Sequence, residues 1–224
     1  MDVHREPAVR RAGSGDVPAL AGMLARAFLD DPVACWAWRP PALRPRALER
    51  FQAIRLGQLL AGEEVWTAED HSCAALWAPP GGWKSSLLAD VALAPCFGHP
   101  RLLARMPLVA AGWLGLERRH PPAPLHYYLA VLGTDPPCQG RGLGSRLLAP
   151  VLEQCDRDGV GAYLESSNEG KANRQGGIGA YLECSRESNI SFYERFGFKV
   201  IEEHKLPCGP MMWRMWRDPP SLTK

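Results

Sequence analysis

Between Gln139 and Ser145 the chain reads Gln-Gly-Arg-Gly-Leu-Gly-Ser, and glycines at alternate positions restrict what can stand on either side. Before them runs Leu125 to Thr134 (LHYYLAVLGT), rich in aromatic and β-branched residues and closed by Asp135-Pro136-Pro137, which predicts a strand leaving a sheet. After them Leu147, Leu148, Val151, Leu152 and Cys155 recur at helical spacing, and Asp156 to Gly159 is the expected stop, for a helix of about three to four turns. A strand, a glycine turn and a helix start in that order gather unpaired N–H groups and the positive end of a helix dipole at one point. An anion binds there. Glycine permits positive φ and close backbone approach to a pyrophosphate, and Arg141 adds charge from the rim. The competing reading is a glycine-rich connection with no ligand. The dinucleotide fingerprint fits badly, because Gly140, Gly142 and Gly144 are spaced by two throughout, although Glu165 lies at the right distance for a ribose contact. The Walker pattern fails for want of Gly-Lys-Ser/Thr.

Composition limits the remaining classes. A chain of 224 residues with 26 basic and 24 acidic side chains, formal charge +2, is of single-domain size and carries no broad basic footprint for nucleic acid. Seven cysteines, scattered and without a C-x-x-C pair, read as reduced thiols of a cytoplasmic protein. Met1 to Arg11 has no apolar run of a signal sequence, and no stretch reaches the ~18 uncharged apolar residues of a membrane span. No two histidines stand at metal-ligand spacing, and no metal is expected.

Taken in order, a tail of residues 1–8 precedes a short strand at Val9 to Arg11, followed by a helix with Asp16 at its N-cap and Pro18 in its first turn. Leu20, Leu24, Ala27 and Phe28 mark its buried face. The helix breaks at Asp30-Asp31-Pro32, and Leu43 to Leu60 reads as a second one. Glu64 to Thr67 and Cys73 to Trp77 form a hairpin about Glu69 to His71. Leu87 to Leu116, interrupted by prolines, predicts two or three short helices. Phe198 to His204 and Met211 to Trp216 predict two antiparallel strands, and 218–224 is a tail. One feature is unusual: Gly159-Val-Gly-Ala-Tyr-Leu-Glu-Ser-Ser167 recurs eighteen positions later as Gly177-Ile-Gly-Ala-Tyr-Leu-Glu-Cys-Ser185. Only one copy can occupy a strand slot. The second gives the shorter link to Tyr193 and puts Val160 to Gly176 in a loop.

The run Thr134 to Ser145, T-D-P-P-C-Q-G-R-G-L-G-S, resembles the acetyl-CoA signature of the GNAT acetyltransferases, with threonine where the signature has valine. Asn189 to Phe198 (NISFYERFGF) resembles the N-x-x-x-Y-x-x-x-G-F helix and turn of the same family. The segments at Val65 (VWTAED), Ala75 (ALWAPP) and Phe192 (FYERFGF), with the tail from Pro207 to Trp213, resemble its puromycin N-acetyltransferase branch. The resemblance implies one mixed α/β domain over residues 9–217, with an inserted duplicate of about eighteen residues within 159–189. Its central mixed sheet would have six to seven strands flanked by helices, and the central strand and its neighbour would splay around acetyl-CoA.

It also implies site residues. Gln139, Gly140, Arg141, Gly142, Leu143, Gly144 and Ser145 would cradle the cofactor phosphates. Leu132, Gly133 and Thr134 would offer backbone to the thioester carbonyl and pantetheine, and Asn189 would orient the arm. Tyr193 corresponds to the tyrosine that protonates the departing sulfur; its plainer role is a packed aromatic. Direct transfer needs a neutral amine and hence a proton acceptor. Glu183 or Glu165, depending on the copy used, ends the strand beside the cofactor, with His126 and Tyr127 as rivals. Asp30 and Asp31 could attract a cationic amine or merely close a helix, and Trp36 and Trp38 could line a pocket or anchor the fold. Cys138 and Cys184 are candidates for a covalent acyl-enzyme but lack a histidine partner. The expected activity is transfer of acetyl from acetyl-CoA to the amine of a small molecule, by a monomer or homodimer. Acetylation of a protein or peptide amine, and a silent acyl-CoA-binding module, are the alternatives.

Overall fold

The structure is a computed structural model describing residues 7–84, 86–165 and 178–219. The expected end tails lie largely outside those residues, as does the linker between the two copies of the repeated segment. Seven strands form one sheet: β1 (Val9–Arg11), β2 (Val65–Ala68), β3 (Cys73–Ala78), β4 (His126–Thr134), β5 (Gly179–Cys184), β6 (Lys199–Lys205) and β7 (Met211–Arg217). Their spatial order is β1-β2-β3-β4-β5-β7-β6, antiparallel except for β4 beside β5. The helices are α1 (Val17–Ala27), α2 (Pro32–Ala37), α3 (Arg44–Leu60), α4 (Leu87–Val91), α5 (Pro100–Leu103), α6 (Met106–Arg119), α7 (Leu143–Glu165) and α8 (Ile190–Glu194). The mixed α/β fold with a seven-stranded sheet is the one expected.

Period-2 alternation sorts β3 between two cores. Cys73, Ala75 and Trp77 face Leu147, Leu148, Val151 and Cys155 of α7, while Ala74, Leu76 and Ala78 face Leu20, Leu24 and Leu56 of α1 and α3. Both faces are covered, so every residue of β3 is buried, as a strand apolar on both sides must be. A third cluster joins α2, α3 and α6 through Trp38, Leu48, Phe97 and Val109.

The ladder between β4 and β5 is short. Only His126–Leu129 pair with Gly179–Leu182, although β4 runs on to Thr134 and β5 to Cys184. Beyond Leu129 the two strands have parted, and among the described residues no strand pairs with the edge of β4 that faces away from β3. α1 presses on this stretch: a Cβ on Gly133 would stand 2.6 Å from Leu24 and 3.0 Å from Phe28.

The repeated segment meets two fates. Gly179–Cys184 is β5, so the second copy fills the slot. The first copy is helical: α7 passes the expected stop at Asp156 to Gly159 and ends at Glu165. The expected loop over 160–176 is therefore corrected for 160–165. Gly159 and Gly161 each cost a helix about 1 kcal/mol, which does not by itself end it, whereas a strand needs an open partner edge. Asp16 stands at the N-cap of α1, as expected. Its side chain makes no cap bond to α1; it takes both Arg10 Nη atoms at 2.8 Å, His71 Nε2 at 2.7 Å and Gly13 N at 2.8 Å.

Candidate active site

At the open end of the β4–β5 seam stands the glycine turn. Gly140 and Gly142 have φ of 76° and 77° with nothing within 4 Å of an added Cβ, so conformation rather than crowding requires glycine there. Gly144 differs, because its Cβ would meet Phe192 of α8 at 3.3 Å. α7 begins at Leu143 with Arg146 N bonded back to Gly142 O, which leaves the N–H groups of its first turn, at Leu143, Gly144 and Ser145, without intrahelical partners. Gln139 Nε2 donates to Thr134 O at 3.1 Å and Arg141 Nη2 to Pro137 O at 3.2 Å, holding the turn against the end of β4. Leu132, Gly133 and Thr134 lie on the part of β4 that β5 does not pair. These residues fit a pyrophosphate and an extended arm: free N–H donors, positive-φ glycines and an unpaired strand edge converge.

On the other side of the seam a cavity of about 610 Å³ is walled by Trp38, Phe51, Phe97 and Trp113, with Trp83 and Tyr128. Glu183 and Ser185 of the β5 end and Asp31 also line it. Glu183 Oε1 accepts from Tyr181 Oη at 3.0 Å and Oε2 from Tyr128 Oη at 3.2 Å. Burial pushes its carboxyl above the ordinary range, against the pull of Tyr181, Tyr128 and Arg214. Arg214 Nε donates to Tyr181 Oη at 2.9 Å. A half-buried carboxylate among rings, with one donor on each oxygen and reachable from the cavity, can take a proton from an amine.

His120 sits on the same wall, with His126 packed against it. His126 Nδ1 lies 2.8 Å from Pro124 O and must donate to it, so its Nε2 is the acceptor for His120 Nε2 at 2.9 Å. Burial, His126 and Arg214 push His120 down to about 3. His126 is thus committed within a neutral pair, and Tyr127 belongs to the core under α7.

Tyr193 is buried in that core, edge-on to Phe192 and Phe198. Burial first, then Cys184 and Asp31, push its hydroxyl well up, so it stays protonated. The Cys184 thiol is raised by burial and donates to Arg186 O at 3.0 Å, which suits a packed thiol rather than a nucleophile. Asn189 is exposed and ends a 3-10 turn before α8 without a side-chain cap bond.

Other sequence candidates are distributed differently from expectation. Asp31 is the N-cap of α2, accepting from Val33 N at 2.9 Å and Ala34 N at 3.3 Å and from Ser185 Oγ at 2.5 Å; it opens a helix as well as lining the cavity. Asp30 is exposed outside the lining and meets Arg186 through its carbonyl. Trp36 is an anchor: Nε1 donates to Pro207 O at 3.0 Å, and Gly112 and Gly209 exist at their positions because its ring leaves no room for a Cβ. Glu165 ends α7 and takes no part in the sheet. Apart from Trp38 and Glu183, the aromatic wall and the Tyr128–Glu183–Tyr181–Arg214 chain were not singled out in the sequence; Phe51, Phe97 and Trp113 carry no local signal that separates lining from core.

A model of the acetyltransferase (GNAT) family matches residues 77–198, more than half of the chain. The chain belongs to the GNAT acetyltransferases. Among curated relatives, an uncharacterized N-acetyltransferase of Schizosaccharomyces pombe is 27% identical over 176 residues, covering 72% of this chain and 69% of that one. The N-alpha-acetyltransferase RimI of Mycobacterium tuberculosis is 30% identical over 131 residues, 56% of this chain and 69% of RimI. The fold matches the histone acetyltransferase HPA2 and related acetyltransferase structure of Corynebacterium glutamicum at a TM-score of 0.65, with 22% identity over 98% of this chain and 99% of the other. It also matches arylalkylamine N-acetyltransferase 2 of Aedes aegypti at 0.56, with 12% identity over 96% and 100%. GNAT enzymes use acetyl-CoA as co-substrate, and the glycine turn and open seam lie inside the matched region. Among the described residues no helix is long and apolar enough to cross a membrane.

Proposed function

We propose that this GNAT enzyme acetylates the amine of a small molecule with an apolar, ring-bearing body. The observation that carries the reading is the half-buried Glu183 carboxylate on the wall of an aromatic cavity, beside the opening of the sheet. When bound, acetyl-CoA supplies an acetyl group activated as a thioester. Gln139 to Ser145 hold its phosphates, Asn189 orients the pantetheine arm, and the free β4 edge at Leu132 to Thr134 supplies donors to the arm and carbonyl. Glu183 takes a proton from the ammonium form of the acceptor and frees the nitrogen lone pair for attack. Tyr193, kept protonated by burial, gives its proton to the sulfur as the C–S bond breaks. Trp38, Phe51, Phe97 and Trp113 bind the body of the acceptor and exclude water, while Asp31 adds negative charge on the wall. The ring-walled cavity, with the sequence segments at Val65, Ala75 and Phe192, supports placement in the puromycin N-acetyltransferase branch, and seven cysteines that form no disulfide among the described residues support a reducing, cytoplasmic setting.

A thiol-release assay across amines tests this. Aromatic and alkyl monoamines are expected to exceed polyamines and N-terminal peptides in kcat/KM by at least about tenfold, or ~1.4 kcal/mol of transition-state binding. Faster turnover of peptides would instead support acetylation of protein N-termini, the activity named for RimI. Acetyl-CoA binding without turnover of any amine would identify a silent binding module.

A further inference from the structure

Arg214 touches Glu183 only through another residue, yet the sheet aligns the two. In the β5–β7 ladder Glu183 stands opposite Arg214, and in the β7–β6 ladder Arg214 stands opposite Glu202. Glu183, Arg214 and Glu202 therefore form a transverse row of alternating charge, cavity-facing at one end and 41% exposed at Glu202. Arg214 is seated from two sides: Nη1 meets Glu202 and Nη2 meets the Arg119 carbonyl at the end of α6.

We propose that Arg214 is a positioning residue for Glu183: its Nε–H commits the only proton of Tyr181 to the carboxylate and so holds Glu183 as an ionised acceptor in the apolar cavity. The direction of the bonds follows from donor inventory. Guanidinium has N–H donors and no acceptor, so at 2.9 Å the Tyr181 oxygen must accept from Arg214. That leaves the Tyr181 hydroxyl hydrogen for Glu183 Oε1 at 3.0 Å, and Tyr128 supplies the second donor at Oε2. A phenol that accepts from a cation is a stronger donor to its next partner. Without Arg214, the packed Tyr181 ring stays but its hydroxyl hydrogen loses the contact that fixes its direction, and two carboxylates flank β7 with nothing between them. The groups facing Glu183 are Tyr128 from β4, Tyr181 from β5 and Arg214 from β7, with Glu202 of β6 behind; the helical wall adds Asp31, Arg55, Asp90, Glu117 and His120. Of these, Arg214 and the two tyrosines oppose the effect of burial on the carboxyl.

The kinetic arm of the test rests on Glu183 as the base; the spectroscopic arm does not. The carboxyl of Glu183 is titrated by infrared difference spectroscopy, assigned by its loss in Glu183→Gln, alongside the acid limb of kcat/KM. In Arg214→Met and in Tyr181→Phe both midpoints are expected to rise by about tenfold in proton concentration, one pH unit. The double variant should rise little further, because the two residues act in series. Arg214→Gln, which can still donate to the Arg119 carbonyl, replaces Met if that variant does not fold. An unmoved Glu183 titration in a folded Arg214 variant overturns the proposal. So does a double variant equal to the sum of the single shifts, since Arg214 would then act independently of Tyr181. A titration that moves while the acid limb stays fixed supports the role of Arg214 and removes Glu183 as the base.

Discussion

Tyr193 carries a hydroxyl that burial keeps protonated and a ring that Phe192 and Phe198 hold, and substitution separates the two. Tyr193→Phe keeps the ring; kcat should fall about 10²-fold while melting temperature and acetyl-CoA affinity barely move. Loss of turnover only in Tyr193→Ala, together with stability, would make the residue a packing element. Gly142→Val puts a branched side chain at φ 77° and should weaken acetyl-CoA binding by at least about tenfold, ~1.4 kcal/mol, in an equilibrium titration. Unchanged affinity in the folded variant would remove the turn from the cofactor site. At this scale the glycines and Glu183 were legible because conformation and strand ends leave local marks. Trp36 and Trp38 were not distinguishable, since they differ only in their distant neighbours: Pro207, Gly112 and Gly209 around one, Phe51 and Phe97 around the other.

The element that instructs most is the repeated Gly-Ala-Tyr-Leu-Glu. At 161–165 it closes a helix and at 179–183 it is strand, so its own propensity decides nothing. What decides is the slot between β4 and β7, where Tyr181 and Leu182 are buried and Gly179 admits the Trp216 ring at 2.4 Å from a notional Cβ. Removing residues 161–178 leaves a single continuous copy, and turnover with acetyl-CoA is expected to survive. A folded deletion variant without turnover would show that the repeat serves the reaction. Hairpin, central strand and C-terminal strand pair were all readable from period-2 patterning and turn residues, to within one or two positions. The end of α7 was not, because the aspartates and glycines at Asp156 to Gly161 carry weak residue preferences that do not by themselves stop a helix.

For the whole molecule, acid sensitivity should trace to the histidine pair. His120 titrates ordinarily at 6.5 but at about 3 in the fold, and His126 is lowered too, both chiefly by burial. A depressed folded value means that the stabilising contribution is complete above 6.5 and is lost as pH falls toward 3, while the unfolded chain takes up the proton first. His120→Phe should therefore flatten melting temperature against pH between 6.5 and 3; an equally steep curve would place acid sensitivity elsewhere. Acetyl-CoA at 100 times its Kd should add about 2.7 kcal/mol of stability by mass action, and the place where that binding would act is the end of the short ladder His126–Leu129 with Gly179–Leu182. Mechanically, the sheet is a plate cracked from one edge, with the antiparallel part up to β4 and the β5-β7-β6 part sharing one short uncracked bridge. Any bending between the two plates concentrates at the crack tip, beside Leu129 and Leu182. A molecule lying along the crack with bonds to both lips would work as a splint, so under the proposed binding mode the donor would stiffen the very joint on which the position of Glu183 depends.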